Sequence, residues 1–173
     1  PYSSSGEDYD LTNIVTNSNT GRGVDIFGGR NTIIRNMISF GNNGYSLELS
    51  ASSNSQIIDS NISSLNLSST SSTNLLFLNV SYSTEIVPSG SSLTRKWYFE
   101  TQVNDSNGYL ENATVGIYNI SNASVYSNLT NSTGKIPRQE LTEYINNSGT
   151  TTYHTPHMIN ISKTGYATNT TIY

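Results

Sequence analysis

The stretch 31–39, Asn-Thr-Ile-Ile-Arg-Asn-Met-Ile-Ser, returns in altered form along the chain. Residues 55–63 read Ser-Gln-Ile-Ile-Asp-Ser-Asn-Ile-Ser, residues 73–81 read Thr-Asn-Leu-Leu-Phe-Leu-Asn-Val-Ser, and 11–16 is a shorter copy. With Leu11, Ile34, Ile58 and Leu76 as equivalent positions, the successive spacings are 23, 24 and 18. A period in the range of about 20–25 residues forces like units to stack, because one unit alone cannot bury its apolar side.

Inside each copy the apolar residues fall an even number of positions apart: Leu11 and Val15, Ile34 and Ile38, Ile58 and Ile62, then Leu76, Leu78 and Val80. That is the period of a pleated strand. Between them lie Asn13, Asn36, Ser60 and Leu78, expected to point inward. A polar group there is costly unless partnered, and stacking Asn36 on Asn13 supplies the partner. A second strand repeats as Val24 and Ile26, Leu47 and Leu49, Leu65 and Leu67. Gly21, Gly23, Gly41 and Gly44 lie between the two strands, where tight corners call for positive φ. Two strands per turn over residues 9–87 describe coils of a parallel β-helix. The Asn31-x-x-Ile34-x-Asn36 and Gly44-x-x-Leu47-x-Leu49 phrasing resembles the repeats of pectate-lyase-like and NosD-like proteins. That resemblance implies a right-handed parallel β-helix. It also implies, for the enzymes among those proteins, an acidic cluster with an Arg or Lys base on one face.

Residues 1–8 read as a loop or the remnant of an upstream coil, and 88–92, Pro-Ser-Gly-Ser-Ser, as a linker. An open first coil would expose strand backbone, so a further coil or cap upstream is expected. From Leu93 the pattern changes to short strands separated by polar turns, among them Asn107-Gly108 and Thr133-Gly134. Trp97, Phe99, Thr101 and Val103 alternate with polar residues, and Ala113, Val115 and Ile117 do the same. Strands at such intervals read as a β-sandwich over 93–173. Asp105-x-x-Gly108, Ala113-Thr114-Val115-x-Ile117 and Gly165-Tyr166 resemble the carboxypeptidase-regulatory-like and Ig-like modules of extracellular proteins. The resemblance implies a spacer or adhesive unit without a catalytic set. The expected fold class is therefore all-β: the C-terminal coils of a right-handed parallel β-helix plus an Ig-like or carboxypeptidase-regulatory-like β-sandwich.

Ser, Thr and Asn supply 73 of the 173 residues, while only 12% are charged. The net charge of −4 argues against nucleic acid as a partner. No run of 18 apolar residues offers a membrane-spanning helix. Cys is absent, which excludes disulfides and thiolate metal sites. Asn-x-Ser/Thr acceptor triplets occur at Asn61, Asn66, Asn79, Asn104, Asn112, Asn119, Asn122, Asn128, Asn131, Asn146, Asn160 and Asn169, all after residue 60. Such triplets are acceptors for N-linked glycans on exposed segments of secreted proteins. The alternative is that small polar residues merely suit corners and wet strand faces. Both readings favour an extracellular, wet surface, and few Lys, no Cys and many acceptor triplets resemble archaeal cell-surface glycoproteins of the surface-layer or sheath type.

Candidate chemistry is sparse. Asp25 and Glu48 hold the same place in successive copies of the second strand, so they should stack on adjacent coils about 4.8 Å apart. Asn66 continues their row, and Arg22 and Arg30 flank it. Two such carboxylates either form a solvated polar row, hold Ca²⁺, or act on a glycoside, with Arg22 in a supporting role. Arg35 and Asp59 should form an exposed salt bridge one coil apart. His154 and His157 read as surface histidines, or less readily as metal ligands. The function expected is structural: an N-glycosylated, self-associating subunit of a surface layer, sheath or filament, with no cofactor. A polysaccharide-binding or polysaccharide-degrading protein working through Asp25 and Glu48 is the alternative, and an adhesin or spike is a third.

Overall fold

The computed structural model describes residues 8–67 and 71–173. Residues 1–7 of the expected N-terminal loop, and Ser68 of the Asn66 triplet, lie outside the described residues. The described residues are all-β, with no helix. The chain divides into two compact units, residues 1–97 with 144–152, and residues 98–143 with 153–173.

The first unit is a β-solenoid of stacked parallel strands. Its first turn carries β1 (Asp10–Thr12), β2 (Val15–Asn17) and β3 (Val24–Phe27). The second carries β4 (Ile33–Arg35), β5 (Ile38–Phe40) and β6 (Leu47–Ser50), and each strand pairs in parallel with its counterpart in the first turn. In the third turn β7 (Gln56–Ile62) runs under both β4 and β5, and β8 (Ser64–Asn66) follows. The fourth has β9 (Leu75–Ser81) and β10 (Thr84–Ile86). Leu93–Lys96 of β11 (Ser92–Phe99) then stacks on Leu75–Leu78. The first two turns thus carry three strands each, not the two expected, whereas the third and fourth carry two, with β7 spanning the positions of both β4 and β5.

The third face arises at a corner within the supposed first strand. Asn13, Asn36, Asp59 and Asn79 all have left-handed backbone, with φ of 58°, 54°, 50° and 56°. Asn and Asp tolerate that region best among non-glycine residues. The corner carries an amide ladder: Asn36 Nδ2 donates to Asn13 Oδ1 (3.1 Å), and Asn79 Nδ2 donates to Asp59 Oδ1 (2.7 Å). The stacking of Asn36 on Asn13 is as expected, but the pair is exposed, and the column continues through Asp59 and Asn79 instead of Ser60 and Leu78. A second left-handed column is Asn31, Asn54 and Asn74, with Asn74 Nδ2 donating to Asn54 Oδ1 (3.1 Å). Of the four corner glycines only Gly41 has positive φ. Gly23 is required for space, since a Cβ there would lie 2.5 Å from Ser46 O and 2.6 Å from two hydroxyls.

These corners also move the core register. Leu11 stacks on Ile34, Ile34 on Ile57, and Ile57 on Phe77. Ile34, Ile57 and Phe77 are fully buried, whereas the expected Ile58 and Leu76 face the other way and are half-buried. Left-handed Asn36 then re-aims the chain, so Ser39 is buried and Ile38 is 45% exposed. The second-strand columns fall as expected: Val24 over Leu47 over Leu65, and Ile26 over Leu49, all buried.

Much of the serine content is interior. Ser39, Ser46, Ser52, Ser55, Ser60, Ser72 and Ser91 are buried. At one corner Ser52 N donates to Ser72 Oγ (3.2 Å) and Ser72 N to Ser91 Oγ (3.0 Å). A hydroxyl from one coil satisfies a backbone N–H of its neighbour, which is the condition for burying either. Small polar residues therefore do more here than line a wet surface.

The second unit has its own core of Phe99, Val115, Ile117, Ile136, Leu141 and Ile159. β12 (Asn104–Asp105) and β13 (Gly108–Tyr109) form a hairpin whose turn is held by Asp105 Oδ1, which accepts from Asn107 N and Gly108 N. β14 (Thr114–Tyr118), β15 (Ser124–Leu129), β18 (Met158–Ser162) and β19 (Asn169–Ile172) form an antiparallel sheet in the order β15-β14-β18-β19. Residues 144–152, from the end of β16 (Gln139–Asn147) and the start of β17 (Thr150–Tyr153), belong to the first unit.

The register makes a direct prediction. Ile57→Ala should cost about 3 kcal/mol through lost burial and a cavity, whereas Ile58→Ala, on the outer face, should cost under about 1 kcal/mol. Urea denaturation of the two variants measures both.

Candidate functional site

β3 and β6 place Asp25 directly beside Glu48, and Asn66 on β8 continues the row, as the repeat requires. The strands hold this row rigidly, because the residues on either side of it, Val24, Ile26, Leu47 and Leu49, are core. The two acids differ in setting: Glu48 is 4% exposed, and Asp25 is half-buried. Arg22 binds both. Its Nη1 donates to Asp25 Oδ2 at 2.6 Å, and its Nε forms an ion pair with Glu48 Oε2. The contact with Glu48 is ionic and not a directed hydrogen bond. Hydrogen bonding to Asp25 raises the Arg22 pKa above its ordinary value, so the clamp is permanently charged.

A guanidinium over both carboxylates occupies the place a cation would take between them. Among the described residues no group of three or more His, Asp or Glu is arranged to hold a metal. Arg30 is exposed and lies in a parallel bridge with Ser53, apart from this row. Arg35 pairs with Asp10 (2.9 Å), not Asp59, because Arg35 registers with Ile58 and Asp59 is the ladder acceptor for Asn79. His157 is buried, not a surface residue; burial lowers its pKa, with a further contribution from His154.

The densest polar cluster was hidden from sequence reading by the long stretch of chain between its members. The inward columns change chemistry at the last coil. Glu85 succeeds Val24, Leu47 and Leu65, and Arg95 succeeds Leu11, Ile34, Ile57 and Phe77. Glu85 Oε2 accepts from Tyr144 (2.7 Å) and lies 2.7 Å from the Tyr82 hydroxyl, and Asn146 Nδ2 donates to Oε1 (2.8 Å). The two hydroxyls are themselves 2.7 Å apart. Arg95 stacks on the rings of Tyr82 (4.5 Å) and Trp97 (4.8 Å), and its Nη2 donates to Val80 O. All of these residues belong to the first unit. The signal was available: carrying the Val24–Leu47–Leu65 column on by one more coil lands on Glu85.

The cluster closes one end of the apolar column, with both carboxylate oxygens of Glu85 accepting from its neighbours. The first coil is different. β1, β2 and β3 each pair on one side only among the described residues. Leu11, Ile14, Thr16, Arg22, Gly23 and Val24 line an open cleft of about 590 Å³ there. On the adjoining face Val15 stacks on Ile38, and they are 63% and 45% exposed.

Comparison with protein-family models, curated proteins and solved structures gives no match.

These geometries make two predictions. Arg22→Ala strands a buried carboxylate and should cost about 2 kcal/mol, between the values for exposed and buried pairs. Asp25→Asn should cost under about 1 kcal/mol, and chemical denaturation compares the two. Burial, then donation to Glu85, pushes Tyr144 up to about 12, and burial likewise raises Tyr82. Both groups are held neutral in the fold, so their contribution to stability is complete below about pH 10, the ordinary tyrosine value. It is lost as pH climbs from there through about 12. An ultraviolet titration should show Tyr82 and Tyr144 among the last tyrosines to ionise, together with falling stability over that interval.

Proposed function

We propose that this chain is a structural subunit of an extracellular assembly, built by contact between copies and carrying N-linked glycans. The observation that carries the reading is the exposed apolar row of Val15, Ile38 and Phe40 on one face of the solenoid, since soluble monomers seldom display large contiguous apolar patches. Coil-to-coil ladders give the stiffness such a subunit needs. On this reading the solenoid is a right-handed parallel β-helix, the second unit is an Ig-like or carboxypeptidase-regulatory-like module, and the source is an archaeal cell surface.

The Arg22 clamp supports a structural role over action on polysaccharide through Asp25 and Glu48, because both carboxylates already have a charged partner in place. Glycan binding at the face and an adhesive role stay as secondary readings.

Electron microscopy and sedimentation of native material test the proposal. Ordered assemblies are expected, and Val15→Lys with Ile38→Lys, both on the exposed apolar row, should disperse them into monomers. A native protein that is monomeric in concentrated solution would overturn the proposal.

A further inference from the structure

The antiparallel sheet of the second unit has two free edges among the described residues, β15 and β19. β15 is exposed at five of its six residues and β19 at all four. Both edges display apolar side chains: Val125 and Leu129 are 46% and 50% exposed, and Ile172 is 65% exposed. Such an edge invites pairing with another chain, and proteins usually block it with Lys, Pro or an inward charge. Here those devices are missing. Residues 119–134, which span β15 and its two turns, contain no Asp, Glu, Lys, Arg or Pro, and neither do residues 167–173 around β19.

What these segments do contain is acceptor triplets. Asn119, Asn122, Asn128 and Asn131 fall in the first, and Asn169 in the second. Asn128 lies on β15 and Asn169 on β19, and both are exposed. Transfer of a glycan forms a bond at the amide nitrogen, so that atom must be free. Asn128 engages only its oxygen, which accepts from Leu129 N at 2.8 Å. Asn131 likewise uses Oδ1, accepting from Thr133 N and Lys135 N, and Asn122 projects from a left-handed turn. Two triplets in the solenoid are the opposite case. Asn79 Nδ2 is committed to Asp59 Oδ1, and Asn146 Nδ2 to Glu85 Oε1, with Asn146 only 6% exposed.

We propose that N-linked glycans on Asn128 and Asn169 shield the two edges of this sheet, with Asn122 and Asn131 adding to the first. Asn79 and Asn146 stay bare because their amide nitrogens are structural donors. The step is condensation of the amide nitrogen with the anomeric carbon of an activated saccharide donor. The nitrogen loses a proton, and the donor's phosphate leaves with the bonding pair. A bulky hydrated oligosaccharide then covers a strand that has no charge to protect it. The inference rests on the surface-glycoprotein reading above and adds which sites are used and why.

Glycopeptide mass spectrometry on the protein from its native source is the first test. Sugar is expected on most copies of Asn128 and Asn169, with none on Asn79 or Asn146. Sugar elsewhere with Asn128 or Asn169 bare, or sugar on Asn79 or Asn146, overturns the inference and leaves the glycoprotein reading standing. No sugar anywhere overturns both. The second test is enzymatic deglycosylation of the folded protein, read by sedimentation in the Val15→Lys, Ile38→Lys background that blocks the apolar row of the solenoid. The weight-average mass should at least double, and Val125→Lys together with Ile172→Lys, one on each edge, should reverse the increase. An unchanged mass, or an increase that the paired substitutions leave in place, overturns the shielding role.

Discussion

A column of left-handed residues decides how this chain coils. Asn13, Asn36, Asp59 and Asn79 each turn the backbone through a corner that most side chains disfavour by roughly 1–2 kcal/mol. The side chain that tolerates the corner also bridges to its neighbour, as Asn36 does to Asn13 and Asn79 to Asp59. Backbone strain and coil-to-coil bonding are thus met by one residue type. Because the corner falls inside the first strand, it splits one face into two and fixes which of two adjacent apolar residues enters the core.

The interior is not uniformly apolar. Serine hydroxyls such as Ser72 and Ser91 accept backbone N–H groups from the neighbouring coil, where tight corners leave donors without strand partners. At the last coil the inward positions become Glu85 and Arg95, which would be ruinous in mid-column. They are sustained by Tyr82, Tyr144, Asn146 and the Trp97 ring. Removing water from a carboxylate is tolerable only when its lone pairs are taken, and here three donors converge on it. The chain reaches this arrangement as the coils shorten: the steps from Leu11 to Ile34 and Ile34 to Ile57 are longer than that from Ile57 to Phe77, and the step from Phe77 to Arg95 is shorter again.

The period, the strand character and the Asp25–Glu48 row were legible because each depends on local alternation and a constant spacing. The exact inward residue was not. Ile33-Ile34, Ile57-Ile58 and Leu75-Leu76 are apolar doublets, and a one-residue slip exchanges faces without changing the pattern. Nor could alternation reveal that Asn36 reverses the pleat and leaves Ile38 outside. The Arg22 clamp was half-visible, as a flanking cation without its geometry. The Glu85 cluster depends on pairing with Tyr144 and Asn146, which no local window contains. Asn residues that looked alike as acceptors divide sharply once their amide partners are known.

The account rests on Ile38 lying beside Asn61 instead of Ile62, one coil on. The chain has no Cys, so engineered pairs are free of background. Oxidation of the Ile38→Cys, Asn61→Cys protein should give an intramolecular disulfide in high yield, because neighbouring strands bring these outward positions within bonding range. Ile38→Cys with Ile62→Cys should stay reduced, since those side chains face opposite sides of the strand pair. Efficient closure of the second pair and not the first would contradict the coil register on which everything else stands.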